Sequence, residues 1–143
     1  MEKELLNIFD KELLLKDLCA RLPYGIKVAF FNEDLTYHSE PKTLTGIECI
    51  NNLNYSNLED EDGNTTIVEF VKPYLFPISS MTEEQKKEFT DVLIEMQLKA
   101  ISDVINGEDV VAYEIDFYNK HHIDYRGLIE KGLAINATGL NIY

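Results

Sequence analysis

The 143-residue chain is predicted to fold as one α+β domain: a small, mostly antiparallel β-sheet with an N-terminal helix and two or more C-terminal helices packed on it. Three observations predict this. The length is that of one ordinary domain, sufficient to bury a core of its own. Alternating or β-branched segments gather between residues 26 and 71. Apolar residues with helical spacing flank them, in residues 2–21 and from residue 82 onward. The sheet-rich part is placed at about 24–78, the helical part at about 82–123 and a short ending at 124–143.

Residues 2–21 read as helix because Leu5, Leu6, Ile8, Phe9, Leu13, Leu14, Leu18 and Leu22 recur mostly at three- and four-residue steps. Asp10-Lys11-Glu12 suits an N-cap and first turn that divides this stretch into two pieces. Pro23 and Gly25 end it. IKVAFF (26–31) reads as a strand, NEDLTYHSEP (32–41) as polar turn, and KTLTGIECI (42–50) as a second strand with a bulge at Gly46. TTIVEFV (65–71) is the strongest strand candidate, and Pro73 and Pro77 in KPYLFPISS then predict an extended, irregular exit.

Thr82-Glu83-Glu84-Gln85 has the form of a capping box. Phe89, Val92, Leu93, Met96, Ala100, Ile101, Val104 and Ile105 trace an amphipathic helix, closed by Asn106-Gly107 as its C-cap. Residues 108–122 satisfy two periods. Val111, Tyr113, Ile115 and Phe117 alternate, whereas Val111, Ile115, Tyr118 and His122 step as on a helix. Helix is favoured, because Asn-Gly fits a cap between helices and Glu, Asp and Lys occupy the other face. Gly127, Gly132 and Gly139 keep any later helix short.

Twenty-six acidic residues against thirteen basic ones give a formal net charge of −13. Nucleic-acid binding needs cations that displace counterions from phosphate, and this chain has no basic run. Direct DNA or RNA binding and docking on an anionic membrane are disfavoured; a basic protein partner is compatible. Apolar runs reach about four residues, far short of the ~20 that span a bilayer. The start, MEKELLNIFDKELLLKD, lacks the basic region and cleavage site of a secretory signal, so a cytoplasmic location is expected. Cys19 and Cys49 have no CxxC company and read as reduced, buried, small hydrophobes.

LEDEDGNTTIVE (58–69) partly fits a calcium loop. With Gly63 at position 6, Asp60, Asp62 and Glu69 fall at positions 3, 5 and 12, but position 1 is Leu58 and no helices flank the segment. A hairpin turn feeding a strand from Thr65 is the preferred reading.

HHIDYRGLIEKGLA (121–134) is the candidate reaction centre. Adjacent histidines sit about 100° apart on a helix and on opposite faces of a strand. Only one of His121 and His122 can therefore join a shared metal site, completed by His38 or distant carboxylates. HExxH and Cys/His clusters are absent, and neither metal nor cofactor is assigned. One histidine is expected at a helix C-terminus, where the dipole favours its cation. GxSxG, GxxxxGK and GxGxxG are absent too, so no catalytic residue is assigned, and Ser79-Ser80 read as a capping region. The binding candidates are Tyr125 and Arg126, types enriched at interaction hot spots, with His122 and Asp124 beside them; Tyr24, Tyr74, Tyr125 and Arg126 read equally as contacts or as core residues with a hydroxyl anchored to backbone.

LCARLPYGIKV (18–28), KPYLFPISSMTEEQKKEF (72–89) and HIDYRGLIEKGLAINATGL (122–140) resemble a family of small acidic proteins of uncharacterised function encoded by phages and prophages of gut bacteria. The blocks cover about a third of the chain; residues 32–64 have no counterpart. The resemblance implies a context, the host bacterial cytoplasm, and transfers no activity or catalytic residue. DYRGLIEKGLA resembles a tail also found behind other upstream sequences, either a stable ending or a docking element. The chain is therefore expected to be a non-enzymatic, protein-binding accessory protein of phage or prophage origin, with homo-oligomerisation open. Two other readings stand beside it: an acidic nucleic-acid mimic that blocks a host or defence factor, and a small ligand-binding protein or enzyme with a site around His121–Arg126.

Overall fold

A computed structural model gives the fold and describes residues 6–50, 55–102 and 107–143. Helix α1 (Ile8–Arg21) is uninterrupted. Asn7, not Asp10, is its cap: the Asn7 side chain accepts from the Asp10 N–H. Asp10 instead lies in the first turn, where a carboxylate complements the helix dipole. The expected break at Asp10 is thus corrected, and residues 2–5 lie outside the described residues. A 3₁₀ turn, Leu22–Tyr24, and Gly25 at φ +69° end the helix, as Pro23 and Gly25 predict.

The sheet comprises β1 (Lys27–Phe30), β2 (Lys42–Ile50), β3 (Tyr55–Asp60), β4 (Thr65–Thr66), β5 (Val71–Pro77), β6 (Ile123–Asp124) and β7 (Ile135–Asn136). Its order is β4-β3-β2-β1-β5-β6, with β7 also paired to β5. Pairings from β4 across to β5 are antiparallel; β6 and β7 run parallel to β5. The β2 register shifts between Leu44 and Gly46, the expected bulge.

Two expectations are corrected here. Within TTIVEFV only Thr65–Thr66 pairs as β4, Val68–Phe70 forms a 3₁₀ turn, and Val71 already belongs to the next strand. The supposed irregular exit, KPYLFP, is β5, which joins β1 to the C-terminal strands. Proline removes a donor yet accepts extended backbone, and Pro77 stands at the strand's last position, where its missing N–H is tolerated. Strand β3, absent from the sequence reading, hides its alternation because polar Ser56 and Asp60 share the buried side with Leu58. Ser56 Oγ accepts the Val68 N–H, and Asp60 Oδ1 accepts the N–H groups of Asp62 and Asn64. The acidic loop is therefore a hairpin turn, with the Asp60 carboxylate engaged by backbone and Asp62 paired to Lys42.

Helix α2 (Glu83–Ile101) begins with the expected capping box between Thr82 and Gln85. It stops at Ile101, where the Ser102 hydroxyl donates to the carbonyls of Leu98 and Lys99. The predicted C-cap at Asn106-Gly107 is corrected: Gly107 opens α3 (Gly107–Lys120), while Val104, Ile105 and Asn106 lie outside the described residues. Helix wins over strand for residues 108–122, up to Lys120.

Alternation on β1 and β5 divides the core. Val28 and Leu75 face Leu14, Leu15 and Leu18 of α1, with Leu128 and Leu133 completing that cluster. Ala29 and Tyr74 face the other way, packed with Ala137, Phe31, Phe76, Ile135 and Ile142. Both cysteines are exposed rather than buried. Partial burial, then proximity to Cys49, raises the Cys19 thiol pKa, which disfavours a reactive thiolate.

Candidate functional site

The segment 121–134 follows α3 directly, and its geometry is set by α1. Asp17 and Arg21, four residues apart on one helical face, are both fully buried. Arg21 Nε donates to Asp17 Oδ2 at 2.9 Å. The same guanidinium donates to the carbonyls of Ile123 at 2.6 Å and Tyr118 at 3.4 Å. Arg126 Nε donates to the other Asp17 oxygen at 3.1 Å. One buried carboxylate thus joins two guanidiniums. Burial raises the Asp17 pKa, and Arg21, then Arg126, oppose that rise. This arrangement locks α1 to the end of α3 and to the DYRG turn. Asp17 and Arg21 were missed in the sequence, although they fall on the Leu14–Leu18 stripe, where charged residues are unexpected.

Tyr125 lies in the same assembly. Its ring stacks on Tyr118 (5.5 Å between centroids) and carries the Arg126 and Arg21 guanidiniums at 4.9 and 5.4 Å. Its hydroxyl accepts from Arg126 at 2.9 Å. Asp124 uses both carboxylate oxygens locally, accepting the N–H groups of Leu128 and Ile129 at 2.9 Å. Each polar end of the DYRG turn therefore has an internal partner.

The two histidines diverge. His121 packs on Phe117 (4.5 Å) and approaches Gln85. His122 adopts φ +57° and stacks on Tyr143 at 3.8 Å and 14°. Burial lowers both pKa values; Arg21 and His121 push His122 further, to about 4. The expectation of a helix-end histidine favoured as a cation is corrected, because desolvation outweighs the dipole. His121 Nε2, His122 Nδ1 and Asn119 Oδ1 are buried without a hydrogen-bond partner among the described residues. His38 sits in the 32–41 bend with its ring on Phe31 and its Nδ1 at the Ser39 carbonyl, outside this group.

Two openings flank the turn. A groove of about 490 Å³ is lined by Pro77, Ile78, Ser79, Asp124, Tyr125 and Glu130, among others. A niche of about 150 Å³ is lined by Phe76, Ser80, Thr82, Gln85, His121 and Ile123. The hydroxyls there are occupied: Ser80 donates to the Pro77 carbonyl and Thr82 caps α2. Among the described residues no group of three metal-ligating side chains occurs and no helix is long and apolar enough to cross a membrane.

A different surface stands out on the helical hairpin. Phe89 of α2 packs against Tyr113, Phe117 and Tyr118, which sets α2 and α3 side by side. Yet none of the nineteen residues of α2 is buried. Ile94, Leu98 and Ile101 are 51, 62 and 80% exposed, and Val111 and Ile115 of α3 are 54 and 38% exposed. Ile94 and Leu98 lie outside the apolar face read from the sequence; a helix apolar on two sides was the available signal. Comparison with family models, curated proteins and solved structures finds no match for this chain.

Proposed function

We propose that this chain is a non-enzymatic, protein-binding accessory protein whose contact surface is the exposed side of the α2–α3 hairpin. One observation carries the reading: five large aliphatic side chains stand exposed on two adjoining helices. Scattered apolar residues are ordinary on a surface, whereas a contiguous apolar patch marks an interaction site. Tyr125 and Arg126 support the assignment by contrast. Their polar groups bind Asp17 and each other, so the DYRG turn serves as a structural closure. The resemblance to phage and prophage proteins makes the bacterial cytoplasm the place to test this.

A photo-crosslinking amino acid placed at Leu98, or at Tyr37 in the 32–41 bend (76% exposed), gives the test in bacterial cells. The expected result is a discrete adduct from position 98 that is lost with Ile94→Asp. Equal adducts from both positions, or none from position 98, overturn the assignment.

A further inference from the structure

A third opening involves neither helix of the hairpin: none of its lining residues belongs to α2 or α3. It is a cleft of about 230 Å³ where the start of α1, the 32–36 bend, Glu69-Phe70, the start of β5 and the Lys131–Leu133 turn come together. A water's share of liquid volume is about 30 Å³, so the cleft holds roughly seven or eight waters. That is the space of a very small ligand rather than a drug-sized one.

The bend that borders the cleft is held in a costly conformation. Leu35 adopts φ +61°, left-handed backbone that is uncommon for a bulky residue. Asn32 enforces it. The Asn32 carbonyl accepts the Leu35 N–H at 3.0 Å, and the Asn32 side chain accepts the Tyr37 N–H at 2.8 Å while donating to Asp34 and Thr36. Strained residues of this kind gather at ligand clamps and similar sites. Leu35 here joins Leu6, Phe70 and the buried Leu133 as the apolar part of the lining.

Charge supplies the rest. Asp10, Glu33, Lys72 and Lys131 line the same cleft from four separate segments. None of the four forms an ion pair among the described residues. The Lys72 ammonium instead lies 5.4 Å from the centroid of the Phe31 ring. The fifth charge, Glu69, is already taken by Lys11. Two cations and two anions therefore border one small space without neutralising each other. A ligand of a single charge would satisfy one pair and be repelled by the other. A ligand with both an ammonium and a carboxylate complements all four through charge-assisted hydrogen bonds. An apolar side chain on that ligand would be buried against the leucines and Phe70.

We propose that this cleft binds a free α-amino acid with an apolar side chain, its carboxylate at Lys72 and Lys131 and its ammonium at Asp10 and Glu33. The site goes beyond the protein-binding reading and is independent of it, so either can fail without the other.

The probes are L-leucine, L-valine and L-phenylalanine, each titrated into the isotope-labelled full chain and followed by backbone amide chemical shifts. The proposal expects a saturable change from at least one of them, centred on residues 33–35, 69–72 and 131–133. For that amino acid, the analogue lacking the amine and the analogue lacking the carboxylate should each bind roughly tenfold more weakly, the loss of one contact to a charged group. Glu33→Gln and Lys131→Gln, both at exposed positions, should each weaken the amino acid severalfold and leave the rest of the spectrum in place. No saturable change from any of the three at tens of millimolar, or changes centred elsewhere, overturns the proposal. An amine-free acid that binds as tightly as the amino acid also overturns it and assigns the lysines to a simple anion. So does undiminished binding by either variant.

Discussion

His122 makes folding of this protein sensitive to mild acid. The residue is 9% exposed, its ring stacks on Tyr143, and its Nδ1 atom has no hydrogen-bond partner among the described residues. Its pKa falls from 6.5 to about 4, chiefly through burial. Unfolded, the imidazole titrates near 6.5. Between the two values the unfolded chain binds the additional proton and the folded chain does not, so stability falls as pH falls through that window. Each unit corresponds to ~1.4 kcal/mol, so this one group lowers stability by about 2 kcal/mol between pH 7 and pH 5. The assay is urea unfolding of the parent and of His122→Asn at pH 7, 6 and 5. Asparagine tolerates the left-handed backbone at this position and does not titrate. His121 shifts the same way, so His121→Gln is measured in parallel and should retain most of the slope. A His122→Asn protein whose stability falls with pH as steeply as the parent's would refute the reasoning.

The remaining predictions concern the buried triad, the turn it anchors and the hairpin. Asp17→Ala leaves the fully buried Arg21 without its anion and should cost about 3–5 kcal/mol in denaturant melts; Asp17→Leu with Arg21→Met should cost less than the sum of the single changes. Asp124→Ala strips the acceptor from the Leu128 and Ile129 N–H groups, for a loss of roughly 1–3 kcal/mol by the same measurement. Amide hydrogen exchange should be faster through the middle of α2, which has no fully buried residue, than in β1 and β5, which carry Val28, Ala29, Tyr74 and Leu75; equal protection would contradict a weakly anchored hairpin.

Much of the fold was legible because its signals are local. The capping box at Thr82, the bulge at Gly46 and the stop at Pro23-Gly25 each need only neighbouring residues, and each appears where expected. The failures share a cause. β5 carries two prolines, and its pairing is decided by β1 and by strands about fifty residues later, which no window over KPYLFP can register. In β3, inward positions hold Ser56 and Asp60, whose value lies in the turns they support rather than in hydropathy. The HHIDYRG segment suggested chemistry because it concentrates titratable residues. Its meaning depended on Asp17 and Arg21, more than a hundred residues away along the chain, and the exposure of Ile94, Leu98 and Ile101 escaped a reading that followed one apolar face of α2.

The closing of β5 by β6 and β7 carries a consequence for biosynthesis. β5 gains its outer neighbours only when residues 123–136 arrive. Arg21 meets the Ile123 carbonyl, and the Tyr143 hydroxyl bridges the Lys27 N–H and the Tyr74 carbonyl. These long sequence separations slow folding. During translation β5 would present an open strand edge, and Arg21 would lack the Ile123 carbonyl until residue 123 left the ribosome. A product interrupted before Ile123 would lack the groups that seal both faces of the sheet, leaving it open to proteases and aggregation. Emergence of residues 123–143 thereby becomes a checkpoint on folding.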